Sequence, residues 1–139
     1  MNWKIKDFIE LHHKTQKNLA RTTPWWRGDY MQDACQFAHE RPKGSYIVVA
    51  GYRGTTLVGW AMLDFFLSRN IGVRTYIYVK PKYRRNGYGS EILKKAKEKA
   101  KKMGRIVKVL PHNKTSTQFF KSMKINKSEV CHGYKGRYN

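Results

Sequence analysis

The spacing of apolar positions changes several times along the chain, and each change marks an element. Phe8, Ile9, His12 and Leu19 share one helical face behind Asp7-Phe8-Ile9-Glu10, which has the form of a capping box. The pattern predicts a helix over residues 8–20, with a short strand at residues 2–5 ahead of it. Met31, Ala34, Cys35 and Ala38 predict a second helix, from Gly28-Asp29 to just before Pro42. Residues 45–52 and 56–65, joined across Arg53-Gly54, are apolar runs that read as a hairpin; Gly59 marks a bulge or a close approach. A further strand spans 72–79, where Tyr76 and Tyr78 alternate with Ile77 and Val79, as cross-strand packing or with one tyrosine reaching a cleft. Tyr88, Ile92, Leu93, Ala96, Ala100 and Met103 then recur at helical spacing over 87–103, and Gly104 closes that helix. A strand at 105–110, a helix at 113–123 and a last strand at 129–134 with a frayed basic end complete the chain.

A strand, a helix and a second strand in that order form a right-handed crossover with parallel strands, whereas the hairpin is antiparallel. The fold class is therefore α/β, more closely α+β: a central mixed β-sheet with helices on both faces, in one domain over residues 1–139. No repeat, linker or low-complexity segment interrupts it.

The junction between strand 72–79 and helix 87–103 is the most informative stretch. It reads Val79-Lys80-Pro81-Lys82-Tyr83-Arg84-Arg85-Asn86-Gly87-Tyr88-Gly89-Ser90. Gly87 and Gly89 permit positive φ and close backbone approach, so successive N–H groups and the helix start can face a phosphate. A diphosphate suits that cradle.

Here the chain resembles the GCN5-related N-acetyltransferase (GNAT) superfamily. Arg84, Gly87 and Gly89 match its acetyl-CoA signature, and Val79, Pro81 and Arg84 match the segment just ahead. Asn113, Ser116, Phe119 and Phe120 resemble the family's closing segment, so the likeness covers roughly residues 45 to 125. The resemblance implies a GNAT fold and acetyl-CoA as acyl donor. Backbone groups of Ile77, Tyr78 and Val79 would pair with the pantetheine arm. Arg84, Arg85, Asn86, Gly87, Tyr88, Gly89 and Ser90 would hold the pyrophosphate, with Arg85 and Lys82 as side-chain contacts. Asn113 would tie cofactor to scaffold, and Phe120 would stand beside the thioester. The connection holding Trp25, Trp26 and Arg27 would border the acceptor cleft, as a holder for a base or aromatic group or as a core anchor.

Composition then narrows the partners. A net charge of +20 on 139 residues concentrates anions and makes polycationic substrates unfavourable. Lys94, Lys95, Lys97, Lys99, Lys101 and Lys102 coat the outer face of helix 87–103, as a solvated face or as a nucleic-acid or ribonucleoprotein footprint. Cys35 and Cys131 lack metal-ligand spacing and read as reduced packing residues; His12 and His13 complete no metal site, so none is expected. Without a signal peptide or spanning apolar run, a cytoplasmic protein with no membrane association is expected.

The family's acid and base do not carry over. Phe120 stands where many members place a tyrosine that protonates the departing thiolate, and Lys108 where some carry a glutamate base. His112, Ser116, Ser122 and Asp64 are the substitutes on offer, although His112 reads more readily as a solvent-exposed loop residue and Asp64 equally as a turn or ion-pair residue. A chain without a base favours an α-amine over a lysine as acceptor. The expectation is an acetyl-CoA-dependent N-acetyltransferase working by direct transfer onto a primary amine, on aminoacyl-tRNA or the N-terminus of an acidic or ribosome-associated protein. The alternative is a GNAT-like binding or structural module whose basic face contacts nucleic acid or an acidic host protein.

Overall fold

Continuous burial along two long strands, covered on both faces, sets the architecture. In the computed structural model, which describes residues 1–22, 42–66, 70–111 and 113–138, β1 (Asn2–Asp7), β2 (Tyr46–Arg53), β3 (Thr56–Asp64), β4 (Gly72–Val79) and β5 (Ile106–Val109) form one sheet. The strand order is β1-β2-β3-β4-β5. The first three junctions are antiparallel and β4–β5 is parallel, so the mixed sheet of the sequence pattern is present. The predicted second helix, Trp25, Trp26, Cys35 and His112 lie outside the described residues.

Each face of the sheet has its own core. On one, Val49, Val58, Leu63 and Val73 meet Ile92, Leu93, Ala96 and Ala100 of α2 (Tyr88–Lys102), which crosses from β4 to β5. Full burial of an Ile or Leu is worth about 1.5–3 kcal/mol, so this stripe, more than helix propensity, seats α2 on the sheet. On the other face Val48, Trp60 and Met62 pack with Phe8 and with Leu19 of α1 (His13–Thr22).

Gly59 fulfils both of its sequence readings. Gly51 faces Gly59 while Tyr52 faces Leu57, which leaves Val58 as an extra residue in a bulge. A Cβ on Gly59 would lie 2.5 Å from the Tyr78 carbonyl oxygen and 3.0 Å from Ile92 Cδ1.

Two elements differ from expectation. The helix predicted over 8–20 is split: Phe8–Glu10 is a 3-10 turn, Leu11 is extended, and α1 begins at His13. The cause is Asp7, whose carboxylate accepts from Ile9 N at 3.2 Å and also from Gly44 N, tying the turn to the entry of β2. Gln16 then spans the gap, donating to the carbonyls of Phe8 (2.9 Å) and Leu11 (3.1 Å).

The tail is the second difference. In place of a strand at 129–134 there are 3-10 turns at Lys127–Glu129 and His132–Tyr134, with a single parallel bridge between Val109 and Val130. Glu129 bends the chain by accepting from Asn126 N at 2.9 Å and from Lys97 Nζ at 3.0 Å before it can run along β5. Nor does the end fray. It forms the short helix α4 (Lys135–Tyr138), where Tyr138 is buried and its hydroxyl donates to the Ile125 carbonyl.

Candidate active site

β4 and β5 pair only from Gly72 with Ile106 to Thr75 with Val109, and beyond that point they part. β4 continues to Val79, while the other chain leaves through Leu110 and Pro111 to α3 (Lys114–Ser122). Between them opens a cleft of about 740 Å³. Its walls are β4 from Thr75 to Val79, the loop and first turn of α2, and the inner side of α3. Tyr76 to Val79 thus have β3 on one edge and the cleft on the other. Backbone polar groups on such an edge need a partner, which an extended ligand lying along β4 can supply.

The loop at the cleft mouth is shaped by its own contacts. Lys80 N donates to the carbonyl of the bulged Val58, and Pro81–Tyr83 makes a 3-10 turn. Arg84 folds back: its Nε donates to the Val79 carbonyl at 2.9 Å and its guanidinium lies 5.5 Å from the Tyr78 ring centre. Asn86 Nδ2 braces the turn by donating to the carbonyls of Tyr83 (3.2 Å) and Arg84 (3.0 Å). Arg85 has φ 66° and Gly87 φ 77°. Gly87 is the N-cap of α2 and no side chain caps the helix there, so its first N–H groups stay available to an anion.

The two glycines have different tasks. Gly87 supplies the left-handed turn, and a Cβ there would meet nothing within 4 Å. Gly89 is helical and buried, and a Cβ on it would fall 2.4 Å from Cζ of Phe119. Backbone freedom is therefore needed at Gly87, whereas Gly89 is small because an aromatic ring of α3 lies against it.

On the α3 side, Asn113 and Ser116 form a reciprocal cap: Asn113 Oδ1 accepts from Ser116 N at 2.8 Å, and Ser116 Oγ accepts from Asn113 N at 3.1 Å. Phe120 is buried at 3% exposure and forms part of the cleft wall. Phe119 lies beside it, tilted by 54°, at 5.3 Å between ring centres.

Of the residues expected at the site, Ile77, Tyr78, Val79, Arg84, Arg85, Gly87, Tyr88, Gly89, Ser90, Asn113, Ser116, Ser122 and Phe120 line this one cleft. Asn86 braces the loop instead, and Lys82 rests over the Tyr83 ring at 5.4 Å. Asp64 is buried opposite Arg74 at the far end of β3 and is not among the lining residues. Ser122 Oγ donates to the Phe119 carbonyl at 2.6 Å. Lys108 also lies outside the lining, its ammonium donating to the Ser128 carbonyl. The pattern gave no role to Thr75, Gln118 or Met123, which line the cleft through packing that no local motif signals.

Residues 6–124 match the family described as acetyltransferase (GNAT) family. The chain belongs to the GNAT acetyltransferase family. Acetyl transfer from acetyl-CoA is the chemistry of that family. Solved structures share the fold at low identity. An aminoglycoside 6'-N-acetyltransferase from Acinetobacter haemolyticus has a TM-score of 0.67 at 15% identity, with 91% of each chain covered. The ribosomal-protein-S18-alanine N-acetyltransferase from Escherichia coli has a TM-score of 0.59 at 16% identity, covering 90% of this chain and 78% of that one. An aminoglycoside 6'-N-acetyltransferase complexed with coenzyme A has a TM-score of 0.57 at 19% identity, covering 76% of this GNAT chain and spanning 60% of its own length. No curated protein sequence matches significantly. Among the described residues no group of His, Cys, Asp or Glu is placed to hold a metal ion, and no helix is long and apolar enough to cross a membrane.

Proposed function

We propose that the cleft between β4 and β5 binds acetyl-CoA and that the chain acetylates an α-amine on an acidic carrier, aminoacyl-tRNA or a protein N-terminus. One observation carries this reading: β4 loses its β5 partner after Thr75, and the cleft so opened ends at the uncapped start of α2. The free edge of Ile77 to Val79 suits a pantetheine amide chain, and the N–H groups from Gly87 to Ser90 suit the diphosphate. Arg85 lines the same wall as a side-chain contact. Arg84 is a splint, since its guanidinium is engaged with Val79 and Tyr78.

Transfer is direct. The neutral amine attacks the thioester carbon, a C–N bond forms, the C–S bond breaks, and the amine's proton passes to solvent. Phe120 has no proton to give, so the thiolate leaves unaided; a thiol of pKa about 8.5 does so tolerably, at a cost of roughly 10²- to 10⁴-fold in rate. At pH 7 roughly a tenth of an α-amine of pKa about 8 is neutral, against fewer than about one in a thousand lysines of pKa about 10.4. That ratio favours the α-amine in a site without an evident base, and the charge of +20 favours an acidic carrier.

A second reading, a binding module that keeps the fold without catalysis, is favoured by the same Phe120 and by Lys108 being held on Ser128. Ligand binding and transfer separate the two. Acetyl-CoA at about 100 times its Kd adds about 2.7 kcal/mol, a rise of several degrees in Tm. Gly87→Glu places a carboxylate in the cradle and removes that rise, while Gly87→Asn, which tolerates the left-handed turn, keeps part of it. Labelled acetyl-CoA incubated with the protein and a total cell extract then labels RNA or protein. A wild-type protein whose Tm ignores millimolar acetyl-CoA overturns the proposal; a Tm rise without label in any fraction supports the module.

A further inference from the structure

We infer that Gly59, on the far side of β4 from the cleft, is a positioning residue for the donor: having no side chain, it lets the end of β4 lie against β3, and this sets the width of the cleft. The inference rests on the reading of that cleft as the acetyl-CoA site.

Two neighbouring strands stay apart only when each is held by something other than the other. β5 is held from outside. Its last residue, Val109, is bridged to Val130, and the Val109 carbonyl accepts from Cys131 N at 2.9 Å. Pro111, fully buried just beyond, has no N–H with which to prolong the ladder. β4 is held from the opposite side by β3, which goes on pairing with it from Tyr76 to Val79 after β5 has left at Thr75.

The β3 partner of Val79 is Gly59, and the contact there is closer than a side chain permits. A Cβ on Gly59 would lie 2.5 Å from the Tyr78 carbonyl oxygen, 3.0 Å from Val79 Cα and 3.0 Å from Ile92 Cδ1. The Ile92 atom is a side-chain tip that can turn aside, whereas the other two are main chain of β4. Tyr78 and Val79 also line the cleft, at the end of the edge that suits the pantetheine arm. A methyl at residue 59 therefore moves the end of β4 away from β3, and the space on the other side of β4 is the cleft. The bulge serves the same placement, because the Val58 carbonyl accepts from Lys80 N at 3.0 Å and ties the chain to β3 just past Val79. Gly59 does not have a positive φ, so its backbone suits alanine and only the contact excludes it. A displacement of about 1 Å in a bound reactant can cost about 10²-fold in rate, so a glycine outside the cleft can govern the reaction within it.

Isothermal titration with acetyl-CoA, beside denaturant titration, tests this on the full chain. Gly59→Ala should raise the Kd for acetyl-CoA by about tenfold or more. Gly51→Ala is the control: it faces Gly59 on β2, and its methyl is also crowded, but by Met1 Sδ at 2.9 Å and Trp3 Cζ3 at 3.1 Å. Its Kd should stay within about twofold of wild type, whereas a purely structural role would lower the stability of both variants and leave both Kd values alone. Ile92→Val removes the side-chain tip that residue 59 meets, which makes Gly59→Ala/Ile92→Val the milder variant. Measured against Ile92→Val, the pair should still lose affinity, because the main-chain contacts remain. An unchanged Kd in Gly59→Ala, an equal loss in Gly51→Ala, full recovery in the pair, or failure of both residue-59 variants to fold overturns the inference and leaves the cofactor reading standing. A wild type that fails to bind acetyl-CoA overturns both.

Discussion

Gly89 and Phe119 occupy one space, and that contact joins the start of α2 to α3 across the cleft. A methyl at residue 89 must displace an aromatic ring that itself lies tilted against Phe120. Overpacking of that kind costs about 1–3 kcal/mol. Gly89→Ala should lower stability by that amount in denaturant titrations, and Gly89→Ala combined with Phe119→Leu should recover part of it, because the smaller side chain vacates the ring position. Additive losses in the double variant would show that the two residues do not meet. Gly87 behaves in the opposite way: its Cβ direction is open, and only its φ of 77° asks for glycine. One glycine signature thus holds two physical requirements, one conformational and one steric.

At the scale of elements, the tail is tied to α2. Glu129 links the turn after α3 to α2 through Lys97 and closes its own turn on Asn126 N. Burial pushes its pKa up, but the hydrogen bonds from Asn126 and Lys97 and the nearby charges of Lys97 and Lys108 more than offset this, leaving it below the ordinary value of 4.5. A carboxyl whose folded pKa is depressed contributes stability that is present above its unfolded pKa and is lost as pH falls through the folded one. The denaturation midpoint of the wild type should therefore fall relative to that of Glu129→Gln as pH drops below about 4.5. Midpoints that move in parallel over that range would show that these bonds add no net stability. The same turn explains why β5, only four residues long, gains one bridge from Val130 and no full neighbouring strand.

At the scale of the whole molecule, 29 Lys and Arg face 9 Asp and Glu. The described residues contain ion pairs of Lys43 with Glu10 and Lys95 with Glu98, on side chains open to water where such pairs are worth little, and of Lys97 with the partly buried Glu129. Self-repulsion is then a standing load on the folded state. Because the Debye length shrinks from about 30 Å at 0.01 M salt to about 3 Å at 1 M, Tm should rise as sodium chloride is raised through that range. A flat or falling Tm would mean that the cations are spaced too widely to repel.

The order of strands, the α2 crossover and the glycine junction at 84–90 were legible in the sequence because each depends on local rules: period-two or helical spacing, positive φ at a cap, and short connections. From these followed the mixed sheet, the glycine turn at the head of α2 and the family. Tertiary structure alone decided the rest. The split of the first helix depends on Asp7 reaching Gly44, 37 residues away, and the bent tail on Glu129 reaching Lys97, 32 residues away. The cleft itself exists because two strands stop pairing after Thr75, and the reason for Gly89 is a ring 30 residues further along the chain. Contacts between distant residues leave no period in the sequence, so their consequences emerge only when the chain is folded.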